Sequence, residues 1–195
     1  MQNGKSLVPE GQNKFHAIFG GDPAYFVSPS SLGPALAALN AQVKIVSASG
    51  ARSVAIEKFF KTPAAESDRE IDLKPNEIVT EITIPAASLT TKNSTYEVRQ
   101  KEALDWPLAA ASVSLRMTGN KVAAAKIFLG HVAPTPWSAA TAAKAIEGKA
   151  IDEATAEAAG EAAVSGAKPL SQNSYKIQLT KVAVKRALLA AAGKA

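Results

Sequence analysis

The apolar positions follow two periods. One short helix and a series of β-type runs fill the chain to residue 129, and from Trp137 onward apolar residues recur at helical spacing. Ser30 or Ser31 can cap a short helix through Leu36–Leu39, because a hydroxyl accepts one of the free first-turn amides. Val43–Ala48 and Ser53–Ile56 are β-rich runs around Ala48-Ser49-Gly50-Ala51, a hairpin signal. Residues 61–76 are polar and carry Pro63 and Pro75, so they read as a loop. In IVTEITI the pattern assigns Ile78, Ile82 and Ile84 to one face and Glu81 and Thr83 to the other. That predicts a half-buried strand ended by Pro85.

A polar stretch at 88–95 marks a candidate boundary, which divides the chain into 1–90 and 91–195. Beyond it, Thr95–Arg99, Ala111–Met117 and Val122–Leu129 read as a three-stranded antiparallel sheet. Its last two strands are joined by Gly119-Asn120, where glycine takes positive φ without steric cost. Three helices follow: Ser138–Glu147 ended by Gly148, a second from Asp152 to near Gly166, and Tyr175–Leu189. In the second, Glu153, Glu157 and Glu161 form the wet face, and Ala154, Ala158 and Ala162 are expected to pack closely. In the third, Tyr175, Leu179, Val182 and Leu189 lie opposite Ile177, Val184 and Leu188, so cover on two sides is expected. The fold class is α+β.

Composition narrows the size of the cores. Of 195 residues 40 are alanine, and Val, Ile, Leu and Phe number only 44. That is slightly above the roughly 20% floor of folded chains. No apolar run approaches the ~20 residues of a membrane helix, so no membrane insertion is expected. The formal charge of +5 comes from the tail, where Lys176, Lys181, Lys185, Arg186 and Lys194 meet no acidic residue. They read as cations along and after the last turns of a helix, favoured by its dipole, rather than as a nucleic-acid surface.

Candidate chemistry is sparse. Without cysteine there is no disulfide, thiolate catalysis, iron–sulfur cluster or thiolate zinc site on this chain. His16 and His131 stand far apart with no partner at ligand spacing, so both read as structural hydrogen-bonders and no metal is expected. No nucleophile elbow, P-loop or dinucleotide fingerprint occurs, and Gly20-Gly21 is a turn signal. Asp105, following Arg99 and Lys101, would hold a strand–loop junction. Trp106-Pro107 and Pro134-Thr135-Pro136-Trp137 are rigid apolar elements whose tryptophans read as core fillers, with a ligand pocket as the alternative.

Six segments in collinear order carry a resemblance: NKFHAIFGG, SPSSLGPALAALNAQVKIVSASGARSVAIEKFF, KPNEIVTEITIP, YEVRQKEALDWPLAAASVSL, IFLGHVAPTPW and SGAKPLSQNSYKIQLTKVAVKRALL. From about residue 11 to residue 189 the chain resembles the FAD-binding (medium) subunit of molybdenum hydroxylases, the xanthine dehydrogenase, aldehyde oxidoreductase and carbon monoxide dehydrogenase relatives. The resemblance implies that 1–90 is the second subdomain of the FAD-binding domain. Residues 91–195 would be the C-terminal domain, a three-stranded antiparallel sheet with a three-helix bundle. It also implies that the first subdomain is missing, with its glycine-rich loop for the FAD pyrophosphate and its Gly-Gly-Asn segment. Because backbone amides of that loop hold the phosphates in relatives, free FAD should bind this chain poorly or not at all.

Carried over residue by residue, the resemblance implies cofactor-binding positions at Ser31, Ile78, Val79, Glu97, Arg99 and Asp105, with no catalytic or metal-binding residue. Ser31 stands where relatives carry aspartate, and Glu97 where a lysine is common; Lys101 is a basic substitute. His131 occupies a turn position that is usually small. Ser6 and Ala24 match positions that hold iron–sulfur ligands in close relatives and cannot ligate, so no cluster is expected. The implied partners are a large molybdopterin subunit and a small [2Fe-2S] subunit, with electrons passing from the iron–sulfur centres to FAD and then to an acceptor. The implied location is cytoplasmic, or periplasmic if an exported partner carries the chain. The changed positions leave a second reading, a non-catalytic remnant or interaction module that no longer binds FAD.

Overall fold

A computed structural model of the protein describes residues 5–101 and 105–194. In chain order they form α1 (Leu32–Ala38), β1 (Gln42–Ser47), β2 (Gly50–Ala55), α2 (Ile56–Phe59), β3 (Ile78–Thr83), a 3-10 turn (Ala86–Thr90), β4 (Lys92–Val98), β5 (Ala109–Thr118), β6 (Lys121–Gly130), β7 (Trp137–Ser138), α3 (Ala140–Ile146), α4 (Glu153–Ala163) and α5 (Tyr175–Ala191). The strands make two antiparallel sheets, β2-β1-β3 and β4-β5-β6-β7. The architecture is α+β. The second sheet has one strand more than the sequence predicts, because Trp137 and Ser138 pair with Leu129 and Phe128 before α3 begins.

The larger sheet is covered on both faces, as its alternation requires. Ala109, Ala111, Val113 and Leu115 of β5 and Val122, Ile127 and Leu129 of β6 point to α3–α5 and form the main core with Val184, Ala187 and Leu188. Phe128 points the other way, into a smaller core with Ala37, Ala38, Val43, Ile45 and Ile56. A Cβ on Gly130 would stand 2.8 Å from Pro34 Cγ, so glycine here lets α1 lie close on the sheet. Ser30 Oγ accepts a hydrogen bond from the Gly33 amide at 2.9 Å and so caps the start of α1.

The alanines that pack α4 are not the expected ones. Ala154 and Ala158 are exposed and Ala162 half-buried, while Ala156, Ala159, Gly160 and Ala163 are buried. These four follow the 3–4 spacing of the stripe facing the core, whereas the expected set lies about 100° from the glutamates on the flank. Gly160 marks the close crossing, since a Cβ there would stand 2.8 Å from Lys181 O on α5. Asp152 caps the helix by accepting the Thr155 amide at 2.7 Å. Above the crossing, Lys181 pairs with Glu161 at 2.6 Å and Lys185 with Glu153 at 2.6 Å. Lys181 and Lys185 therefore bridge helices rather than only serving a dipole.

The smaller sheet departs from its pattern at β3. Val43 faces Ile82, Lys44 faces Glu81 and Ile45 faces Val79, so Thr80 is a bulge. The extra residue shifts the two-residue period, which places Ile82 on the face of Val43 and Ile78 on the opposite face with Val46. Neither is half-buried as expected in a common row: Ile78 is 68% and Ile82 46% exposed, and Ile84 beyond the strand is 43% exposed. Arg52 ties the 61–76 loop to this sheet through Asp72 and Glu77, each at 2.9 Å. The opposing guanidinium and the Lys74 amide hold the Glu77 carboxyl down to about 2.

The N-terminal segment is stitched into the main layer. Ile18 and Phe19 belong to its core, and their amides donate to Val132 O at 2.9 and 3.1 Å. Asn13 Oδ1 accepts the Gln172 amide at 2.9 Å, and Asn173 Nδ2 donates to His16 O at 3.1 Å. Among the described residues no helix is long and apolar enough to cross a membrane.

Candidate functional site

The most concentrated polar chemistry lies where the N-terminal segment, the turn after β6 and the start of α5 converge. Lys176 sits in the first turn of α5 on the stripe that continues through Thr180, Ala183, Val184 and Ala187. That register drives it inward, and it is 1% exposed. Its Nζ donates to Phe15 O at 2.9 Å and to His131 O at 2.8 Å. Burial pulls its pKa down to about 8. The expectation of a cation along or after the last turns, favoured by the dipole, is therefore wrong for Lys176, which stands in the first turn and points inward because position in the turn and not charge decides which way a helical side chain points.

Both histidines are also corrected. His131 is 1% exposed with φ +61, and its Nε2 has no hydrogen-bond partner among the described residues. His16 Nδ1 is likewise buried and unpartnered. Both are expected from the sequence to be structural hydrogen-bonders, whereas packing buries one nitrogen of each ring away from any partner among the described residues. Burial lowers the His131 pKa first; the Glu97 carboxylate opposes this, and Lys176 and Arg99 add to it. Burial and Lys176 lower that of His16.

Beside this pair lies a cavity of about 370 Å³ walled by Phe15, Trp106 and Leu108, with Asp105, His131 and Lys176 on its polar side. Trp106 is 66% exposed and so is not the core filler expected from sequence, whereas Trp137 stacks on Phe19 with centroids 5.3 Å apart. Asp105 Oδ2 accepts the Lys101 amide at 3.1 Å, which fastens the loop after β4.

The six positions implied by resemblance fall in three places. Glu97, at the end of β4, pairs with the Arg99 guanidinium, and with Asp105 they share one end of the larger sheet. Ser31 is exposed at the start of α1 without a capping bond of its own. Ile78 and Val79 lie on β3, opposite Val46 and Ile45. Asn13 and Asn173 carry no signal in the sequence for the contacts they make, and Lys176 reads there only as one of the tail cations. Only the spacing of Lys176 to Thr180, Ala183 and Val184 signals its burial beforehand.

Ile78 offers exposed apolar surface next to half-buried Val79, and Glu97 with Arg99 offers polar groups. At Gly20-Gly21 the chain's own aromatic rings take the space of the absent side chains: a Cβ would stand 2.9 Å from Trp137 Cζ3 and 2.7 Å from Tyr25 Cδ1. Internal packing thus accounts for this glycine pair. Among the described residues no group of three or more metal-ligating side chains occurs.

Residues 11–87 match the family described as FAD binding domain in molybdopterin dehydrogenase, and residues 94–191 the CO dehydrogenase flavoprotein C-terminal domain. The chain is 30% identical over 190 residues to the carbon monoxide dehydrogenase medium chain of Hydrogenophaga pseudoflava, covering 95% of this chain and 64% of that one. It is 32% identical over 137 residues to the glyceraldehyde dehydrogenase medium chain of Sulfolobus acidocaldarius, covering 70% and 44%. Quinoline 2-oxidoreductase from Pseudomonas putida 86 superposes with a TM-score of 0.73 at 30% identity, over 86% of this chain and 58% of that one. The chain thus spans less than two thirds of the length of these relatives. Its two matched regions, in this order, make it a member of the FAD-binding flavoprotein family of the molybdenum hydroxylases.

Proposed function

We propose that this chain is part of the FAD-binding medium subunit of a molybdenum-containing dehydrogenase of the xanthine or aldehyde type. The collinear match of 11–87 and 94–191 to the two flavoprotein families carries this reading. Residues 1–90 would serve as the second flavin subdomain and 91–195 as the C-terminal domain. When bound, FAD supplies two-electron chemistry between iron–sulfur centres of a small partner and an acceptor, while a large partner holds the molybdopterin and the substrate. Ile78 and Val79 would pack on the flavin ring, and Ser31, Glu97, Arg99 and Asp105 would meet its polar edge. The diphosphate would be held by the part of the relatives outside the match, so this chain alone would not turn over substrate. A cytoplasmic location follows, unless an exported partner carries the chain.

A second reading, a non-catalytic interaction module, is favoured by Glu97, whose charge is already satisfied by Arg99 where relatives commonly carry lysine. Flavin absorbance decides between them. The purified chain alone is expected to carry no FAD, and co-expression with a separately supplied N-terminal flavin subdomain is expected to yield a yellow complex. Failure of that complex to acquire FAD would sink the flavoprotein reading for this polypeptide and leave the interaction module.

A further inference from the structure

We infer that the cavity beside Lys176 and His131 binds a small aromatic monocarboxylate. The first support is a buried cation that makes no ion pair among the described residues. Lys176 is buried, and among the described residues its ammonium meets only the carbonyls of Phe15 and His131, without a carboxylate. An ammonium has three donors, so one N–H is left after these two bonds. A buried cation without a counter-ion is costly, and an anion entering the cavity removes that cost.

The second support is His131, a lining residue of the same cavity, whose Nε2 is buried and has no hydrogen-bond partner among the described residues. Its lowered pKa leaves the ring neutral at pH 7, and with the proton on Nε2 it donates to a carboxylate oxygen. One cation and one neutral donor match the two oxygens of a monoanion. A dianion would bring a second charge into a cavity that Asp105 also lines.

The walls set the body of the ligand. Phe15, Trp106 and Leu108 are apolar, and Phe15 and Trp106 are 52% and 66% exposed, so their rings stand free to cover a guest. About 370 Å³ falls at the small end of ligand cavities and suits one or two fused rings.

Benzoate is the probe, titrated calorimetrically into the full chain, with benzyl alcohol as the neutral isostere. Saturable one-to-one binding of benzoate is expected, with none of benzyl alcohol. Lys176→Met is expected to weaken benzoate by about tenfold or more, the usual loss for a hydrogen bond to a charged group. Because Lys176 also holds two carbonyls, two further variants keep the test independent of that fold. Trp106→Ala removes an exposed wall, and His131→Asn removes the ring while keeping a residue that tolerates positive φ. Both are expected to weaken benzoate severalfold. Absence of saturable benzoate binding, equal binding of benzyl alcohol, or unchanged affinity in both of these variants would each overturn the inference, whether or not the chain acquires FAD.

Discussion

The two sheets share antiparallel pairing but differ in what covers them. The β4–β7 sheet lies between α3–α5 on one face and α1 on the other, and its core gathers residues from the N-terminal segment to α5. The β2-β1-β3 sheet rests on a small core shared with α1, α2 and Phe128, while its edge strand leaves Ile78 and Ile82 in solvent. Strand pairing satisfies the backbone in both. Only the number of packed layers separates a well-buried sheet from a marginal one.

That contrast can be broken most forcefully at the larger core. Leu129→Ala, at a fully buried β6 position, is expected to cost about 2–5 kcal/mol in urea unfolding. Gly160→Val forces side-chain atoms against the Lys181 carbonyl and is expected to cost about 1–3 kcal/mol, with α4 separating from α5. Little change in either midpoint would mean that this layer is not the stable one.

Lys176 gives the larger layer an alkaline signature. The folded chain releases this proton at about 8, whereas the unfolded chain holds it to an ordinary value near 10.5. Between these values the unfolded state binds more protons, so stability rises with pH by about 1–3 kcal/mol. His131 and His16, the titratable side chains coupled to Lys176, are neutral throughout this window. Unfolding of Lys176→Met between pH 8 and 10.5 should lack the rise, and an unchanged rise would assign it elsewhere.

The smaller sheet should answer at acid pH instead. The Glu77 carboxyl, held near 2 against an ordinary 4.5, contributes stability that is present above 4.5 and lost as pH falls through about 2. Glu77→Gln should remove that dependence and speed proteolysis within 61–76 at neutral pH. In the unaltered chain, cleavage should begin in residues 1–90, and first loss of the C-terminal half would reverse the ranking of the two regions. The smallest effect is expected for Ile82→Ala, under about 0.5 kcal/mol because that side chain is 46% exposed. A larger cost would show that β3 is covered in solution.

Local chemistry made much of this fold legible. Asp152 reads as a helix start, Gly119-Asn120 as a two-residue link, and the 3–4 spacing after Trp137 as three helices, because each depends on neighbours within a few residues. The site was far less legible. Glu97, Arg99 and Asp105 stand near one another in sequence and remain so in space, but Lys176 reaches His131 and Phe15 across 45 and 161 positions.

Period and the places where helices start, then, were determined by the amino-acid sequence alone, since both arise from backbone geometry and the side chains beside it. Tertiary structure decided three other things: that one inserted residue at Thr80 turns Ile78 away from Ile82, that Gly160 rather than the flanking alanines meets α5, and that a lysine lies inside. Each depends on which surface a distant segment brings to it, and burial, unlike periodicity, is a property of the partner as much as of the residue.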